Sequence, residues 1–133
     1  MTSETLAPRQ VQRVRHDIKR RELQVARVEI LGPQMRRVVF QGEALADFVS
    51  ASYDDHVKIF FPNGEGAVAR DYTPRRYDTA ARELVVDFAL HGEGPAADWA
   101  RHAAPGQPLT VAGPRGSFVV PLDFDWYVLV GDE

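Results

Sequence analysis

The sequence predicts a mainly β fold: a six-stranded antiparallel barrel with Greek-key-like wiring and one short helix. Three observations predict it. About six segments are rich in β-favouring residues, and only one stretch reads as a helix. The connections are too short for the crossovers that parallel strands require. Closure into a barrel removes the exposed edges of an open antiparallel sheet.

The elements follow in order. Residues 22–31 carry Leu23, Val25, Val28, Ile30 and Leu31 in imperfect alternation, broken by Gly32-Pro33. Residues 35–40 return as the second arm of a hairpin. Residues 42–55 form a connection in which 43–49 has helical character, and 56–61 is a short apolar strand. Pro62-Asn63-Gly64 stops that strand. A further strand, 70–77, opens with Arg70-Asp71-Tyr72-Thr73-Pro74-Arg75. Residues 83–90 give the clearest strand, and His91-Gly92-Glu93-Gly94 breaks it. Residues 95–103 read as the helix, with Pro95 near its first position and Pro105-Gly106 ending it. Strands at 109–112 and 117–120 flank a turn at Gly113-Pro114-Arg115-Gly116.

The domain organisation expected is a basic, partly disordered leader over 1–21, a barrel over 22–123, and the start of a truncated α/β domain over 124–133. The last assignment rests on Trp126-Tyr127-Val128-Leu129-Val130. Continuous apolar runs of this kind belong to strands covered on both faces. The other reading packs that strand back on the barrel. In the leader, Arg9, Arg13, Arg15, Lys19, Arg20 and Arg21 face only Glu4 and Asp17. That reads as a solvated leader or as an arm attracted to an anion.

Composition narrows the function. The 133 residues allow one domain with a real core, and 44% hydrophobic with 26% charged residues is ordinary for a globular chain. A net charge of -3 argues against a general nucleic-acid binder. No run is apolar enough to span a membrane, and the N-terminus lacks a secretory core. Without cysteine there is no disulfide framework or thiolate nucleophile, which fits a reducing cytoplasm. His16, His56, His91 and His102 show no metal-ligand spacing, and no nucleophile motif points to hydrolysis. Asp54-Asp55-His56 reads as an acidic turn or a metal contact.

The informative stretch is Arg70-x-Tyr72-Thr73. Residues i and i+2 share a strand face, so Arg70 puts a fixed cation beside the ring of Tyr72. The pair suits a ligand with a phosphate and a planar heterocycle, and equally a surface cation–π contact. Thr73 joins them only if the chain twists or ends there, which Pro74 favours. Gly94-Pro95-Ala96-Ala97 leads into the helix, whose free N–H groups suit a phosphate. His91 reads as a base, a cofactor contact or a core histidine. Trp99 reads mainly as core packing with an edge contact to ligand, and Lys58 as an exposed lysine or a cation for the ligand cleft.

Together these pieces resemble a known family. Arg70-x-Tyr72-Thr73 is similar to the flavin motif of the ferredoxin reductase-like superfamily. Asp55-His56-Val57-Lys58, Val86-Asp87-Phe88, His91-Gly92, Trp99-Ala100, Gly113-Pro114-Arg115-Gly116-Ser117 and Val130-Gly131-Asp132-Glu133 narrow the resemblance to siderophore-interacting proteins, the flavin-dependent ferric-siderophore reductases, over residues 22–133. The resemblance implies an FAD-binding barrel followed by an NAD(P)H-binding domain. It implies that Arg70 holds a phosphate, Tyr72 packs on the isoalloxazine and Thr73 bonds near its reactive nitrogen. It places Gly94, Pro95, Ala96 and Ala97 at the pyrophosphate, with His91 and Trp99 lining the same cofactor. The implied activity passes electrons from NAD(P)H through FAD to a ferric siderophore, releasing Fe(II), in the cytoplasm. The nicotinamide site and much of the basic siderophore surface would lie beyond Glu133. Two other readings are a related flavin domain with another acceptor, such as free flavin or an electron-transfer protein, and a non-catalytic nucleotide- or partner-binding barrel.

Overall fold

The computed structural model describes residues 12–16, 18–51, 55–119, 125, 126, 128 and 130. Among them run nine strands and one helix: β1 (Gln12–Arg15), β2 (Arg20–Gly32), β3 (Met35–Gln41), β4 (Val57–Asn63), β5 (Gly66–Tyr72), β6 (Pro74–Asp78), β7 (Glu83–Ala89), α1 (Pro95–Arg101), β8 (Pro108–Ala112) and β9 (Gly116–Val119). A 3₁₀ turn, Glu43–Leu45, sits in the connection after β3. No helix of the described residues is long and apolar enough to cross a membrane.

Seven strands form one antiparallel sheet in the order β5-β4-β8-β2-β3-β7-β6, and β1 pairs with β9 in a second. The large sheet is curled. Tyr72 on β5, at one end, meets Phe88 on β7, near the other, with ring centroids 4.5 Å apart. It is a half-barrel, because β5 and β6 are its free edges and share no ladder. The mainly antiparallel β class with one helix is therefore as the sequence predicts, but the described residues hold nine strands rather than about six. Two causes contribute to the difference: the expected 70–77 segment is divided between β5, which begins at Gly66, and β6, and β1 is short and polar.

Alternation builds the core. Arg21, Leu23 and Val25 on β2 point inward between exposed Glu22 and Gln24. Phe40, Phe61, Phe88, Leu84, Ile59 and Val111 are fully buried on the concave side. α1 closes one end with Ala96, Ala97 and Ala100 buried, and it stops at Arg101, two residues before the expected end.

The basic leader is corrected in part. Residues 12–15 are a strand and β2 begins at Arg20, so the barrel starts before residue 22. The physical reason is that these cations have partners. Arg21, 4% exposed, donates to the Ala44 carbonyl and the Asp47 carboxylate and lies 5.3 Å from the Phe48 ring. Lys19 donates to the same carboxylate, and Arg20 covers the Phe60 ring at 4.5 Å. Arg9 and the rest of 1–11 lie outside the described residues.

The two hydrogen bonds, first from Lys19 and then from Arg21, hold the half-exposed Asp47 carboxyl at about 2. A depressed folded pKa contributes stability above the unfolded value and loses it as pH falls through the folded one. We expect the stability gap between the native chain and Asp47→Asn to be full at about pH 5, to shrink below about pH 4 and to close near pH 2. Denaturant midpoints across that range check it; a gap that does not change with pH would refute it.

Candidate functional site

The site lies where the large sheet fails to close. β5 ends at Tyr72 and β6 begins at Pro74, so Thr73 alone carries the chain from one free edge to the other. The ending expected at Pro74 is present, but Arg70 and Tyr72 stand at the tail of β5 rather than the head of a strand. Arg70 pairs with Ile59 and Tyr72 with Val57, both buried, so the two share the concave face. Asp71, between them, points outward and pairs with Lys58 at 3.0 Å. Lys58 is thus the exposed lysine of the two readings.

Facing this segment is a cavity of about 760 Å³, within the ~300–1,000 Å³ typical of small-molecule sites. It brings together Arg70, Tyr72, Thr73, His91, Gly94, Pro95, Ala96 and Ala97, eight of the nine residues singled out from sequence. Trp99 does not line it. Trp99 packs behind it among Phe40, Phe61 and Phe88, with centroids 6.0, 5.6 and 5.8 Å away.

Each wall has a local cause. Arg70 is exposed and donates from Nη1 only to the neighbouring Ala69 carbonyl, 2.9 Å away. Among the described residues no carboxylate pairs with it. Tyr72 is half-buried, set edge-on to Phe61 and tilted against Phe88. Burial pushes its hydroxyl pKa above 10, and nearby Arg70 pulls it back in part. The phenol therefore stays neutral and able to donate at neutral pH. Opposite, Gly94 precedes α1 at φ 154°, a conformation that L side chains rarely adopt, with open space where a Cβ would stand. Arg101 donates from Nη2 to the Leu90 and Gly92 carbonyls at 2.6 and 2.9 Å, holding this loop on the helix.

Sequence reasoning assigned no role to several other lining residues: Met35, Arg75, Asp87, Ala89 and Glu93. Asp87 accepts from Arg37 Nε and Nη2 at 2.8 and 3.0 Å, and Arg75 Nε lies 3.4 Å away. Its signals in the sequence are a carboxylate inside an apolar strand and the Val86-Asp87-Phe88 motif of the family resemblance. His56 also reaches the cavity. Asp55 beside it is buried and accepts from Ser50, Ala51 and Ser117 at 2.8, 3.0 and 2.5 Å, a structural knot rather than a metal ligand. Asp54 lies outside the described residues. Gly113-Pro114-Arg115-Gly116 joins β8 to β9 as a turn away from the main cavity.

A guanidinium without an ion pair among the described residues, a half-buried ring and an unobstructed glycine at a helix start on one cavity suit a molecule with phosphate and planar parts. Comparison with known proteins agrees. The family model described as the siderophore-interacting FAD-binding domain matches residues 24–69 and 62–118. The chain is 46% identical to the NADPH-dependent ferric-chelate reductase of Escherichia coli (strain K12), over 95% of this chain and 57% of that protein. Among solved structures, a siderophore utilization protein from T. fusca aligns with a TM-score of 0.78 at 38% identity, over 85% of this chain and 50% of that one. A ferredoxin NADP+ reductase from Neisseria gonorrhoeae shares the fold, with a TM-score of 0.59 at 17% identity over 71% of this chain and 38% of that one. The chain spans about half the length of the curated relatives it matches. Matched over most of its length, the chain belongs to the siderophore-interacting FAD-binding domain family.

Proposed function

We propose that this chain is the flavin-holding part of an NAD(P)H-dependent reductase of ferric siderophores. The observation that carries the proposal is the convergence of Arg70, Tyr72 and Thr73 from the gap between sheet edges with Gly94, Pro95, Ala96 and Ala97 on one cavity. The donor set fits FAD. Arg70 forms no ion pair among the described residues and would hold a phosphate. Gly94 leaves room for a pyrophosphate against the backbone. Tyr72, braced by Phe61 and Phe88, offers a fixed ring to an isoalloxazine, with Thr73 beside it and His91 on the opposite wall. Trp99 would act through those aromatic neighbours.

When bound, FAD would supply the means to take electrons in pairs from a nicotinamide and pass them singly to Fe(III). The chain's own residues bind and orient; the proposal needs no side-chain nucleophile or base. The reductase names of relatives support the ferric substrate and the nicotinamide donor. Trp126, Val128 and Val130 are 74%, 70% and 92% exposed, which supports their reading as the start of a further domain that would hold the donor. A reducing cytoplasm fits a chain without cysteine.

Reconstitution tests the proposal. The purified chain should turn yellow with FAD. Full-length protein with NADPH should release Fe(II) from a ferric siderophore, read with a ferrous-specific chelator, faster than it reduces free flavin. A colourless protein overturns the cofactor, and preference for free flavin overturns the acceptor.

A further inference from the structure

On β6 the ladder to β7 slips. Pro74 pairs with Val86 and Arg76 with Val85, so Arg75 is an inserted residue. In a regular strand Arg75 and Arg76 would face opposite sides. Bulges re-aim side chains, and here both arginines line one cavity of about 310 Å³. Its floor is Val39 and Val85, 1% and 5% exposed and separate from the main core cluster.

The two other arginines of the lining are already matched, and the Glu29 carboxylate lies on their side. Arg27 donates to Glu83 at 3.0 and 3.4 Å, Arg37 is held by Asp87, and Glu29 lies near enough to raise both guanidinium pKa values further. Arginine stems laid over apolar surface would account for Arg27 and Arg37. They do not account for the two heads on the bulge. Arg75 has one 3.4 Å contact with Asp87, and the Arg76 side chain has no ion pair or hydrogen bond among the described residues. Arg75 also lines the main cavity, so the two spaces share a wall.

We propose that Arg75 and Arg76 clamp a carboxylate at the periphery of the electron acceptor, an anionic ferric chelate whose iron end reaches the main cavity. The inference deepens the reading given above and rests on it. Adjacent guanidinium forks bind planar oxyanions with two parallel hydrogen bonds each. The apolar floor keeps water from competing below them.

Two measurements test the clamp. In the first, citrate is titrated into the full chain and the arginine Nε–Hε resonances are followed; flavin is not needed. Citrate should shift the signals of Arg75 and Arg76 before those of Arg27 and Arg37. Arg76→Gln should weaken citrate binding about tenfold, the loss expected for one charge-assisted hydrogen-bonded partner. No shift of these two signals, or tighter binding of inorganic phosphate than of citrate, overturns the carboxylate clamp. In the second, FAD-loaded and chemically reduced protein is mixed in stopped flow with Fe(III)–citrate or with cationic hexaammineruthenium(III). The ratio of the anionic to the cationic rate should fall about tenfold in Arg76→Gln, and its ionic-strength dependence should flatten. An unchanged ratio overturns the link to the acceptor. If neither acceptor oxidises the protein, the proposed function fails while citrate binding still stands.

Discussion

Arg70→Ala should weaken FAD binding by roughly ten- to a hundredfold while the chain keeps its fold. The magnitude follows from losing a charge-assisted hydrogen-bonded partner, about 1.5–3 kcal/mol. The fold survives because Arg70 is exposed and its one hydrogen bond goes to the neighbouring carbonyl. Its removal leaves no buried group unsatisfied. Flavin fluorescence quenching measures the affinity, and the thermal midpoint without ligand measures the fold. Wild-type affinity in the variant would remove Arg70 from the site. Arg70→Lys restores charge without the planar fork, so it should recover only part of the loss.

Phe88→Ala acts on fold and site together. Phe88 is 0% exposed and meets Tyr72, Phe61 and Trp99 with centroids 4.5, 6.3 and 5.8 Å away. Deleting a buried phenylalanine costs about 3–5 kcal/mol, the transfer term plus the cavity it leaves. The missing ring also removes the support that fixes Tyr72 from behind. Denaturant unfolding should show the loss of stability. Flavin titration well below the new midpoint should show weaker binding even where the chain remains folded. Tyr72→Phe provides the contrast, because it keeps the ring and its packing and should leave stability within about 1 kcal/mol.

Several features were legible because one residue type had one physical use. Gly32-Pro33 marked the first hairpin, and Pro95 after Gly94 marked the start of α1. Strand periodicity put Arg70 and Tyr72 on one face, and the family resemblance, not the periodicity, chose the phosphate and ring over a surface cation–π pair. Other features depend on partners far away in sequence. β1 is polar and short, and its pairing partner β9 lies at the other end of the chain. Arg21 reads as one more leader cation until the 3₁₀ turn supplies Ala44 and Asp47. Asp87 looks like an ordinary polar residue until Arg37 crosses from the adjacent strand. The bulge at Arg75 has no glycine to announce it. It appears only in the register of Pro74 and Arg76 against β7.

The one-residue crossing between the free edges of the sheet also bears on how the opening behaves. Thr73 precedes a proline, which confines it to extended conformations, and the Pro74 ring fixes the next torsion. Most of the rotational freedom at the crossing is therefore removed by covalent structure. Binding there carries little of the ordering entropy that a glycine-rich lid would impose. A ligand meets an opening whose width is set before it arrives.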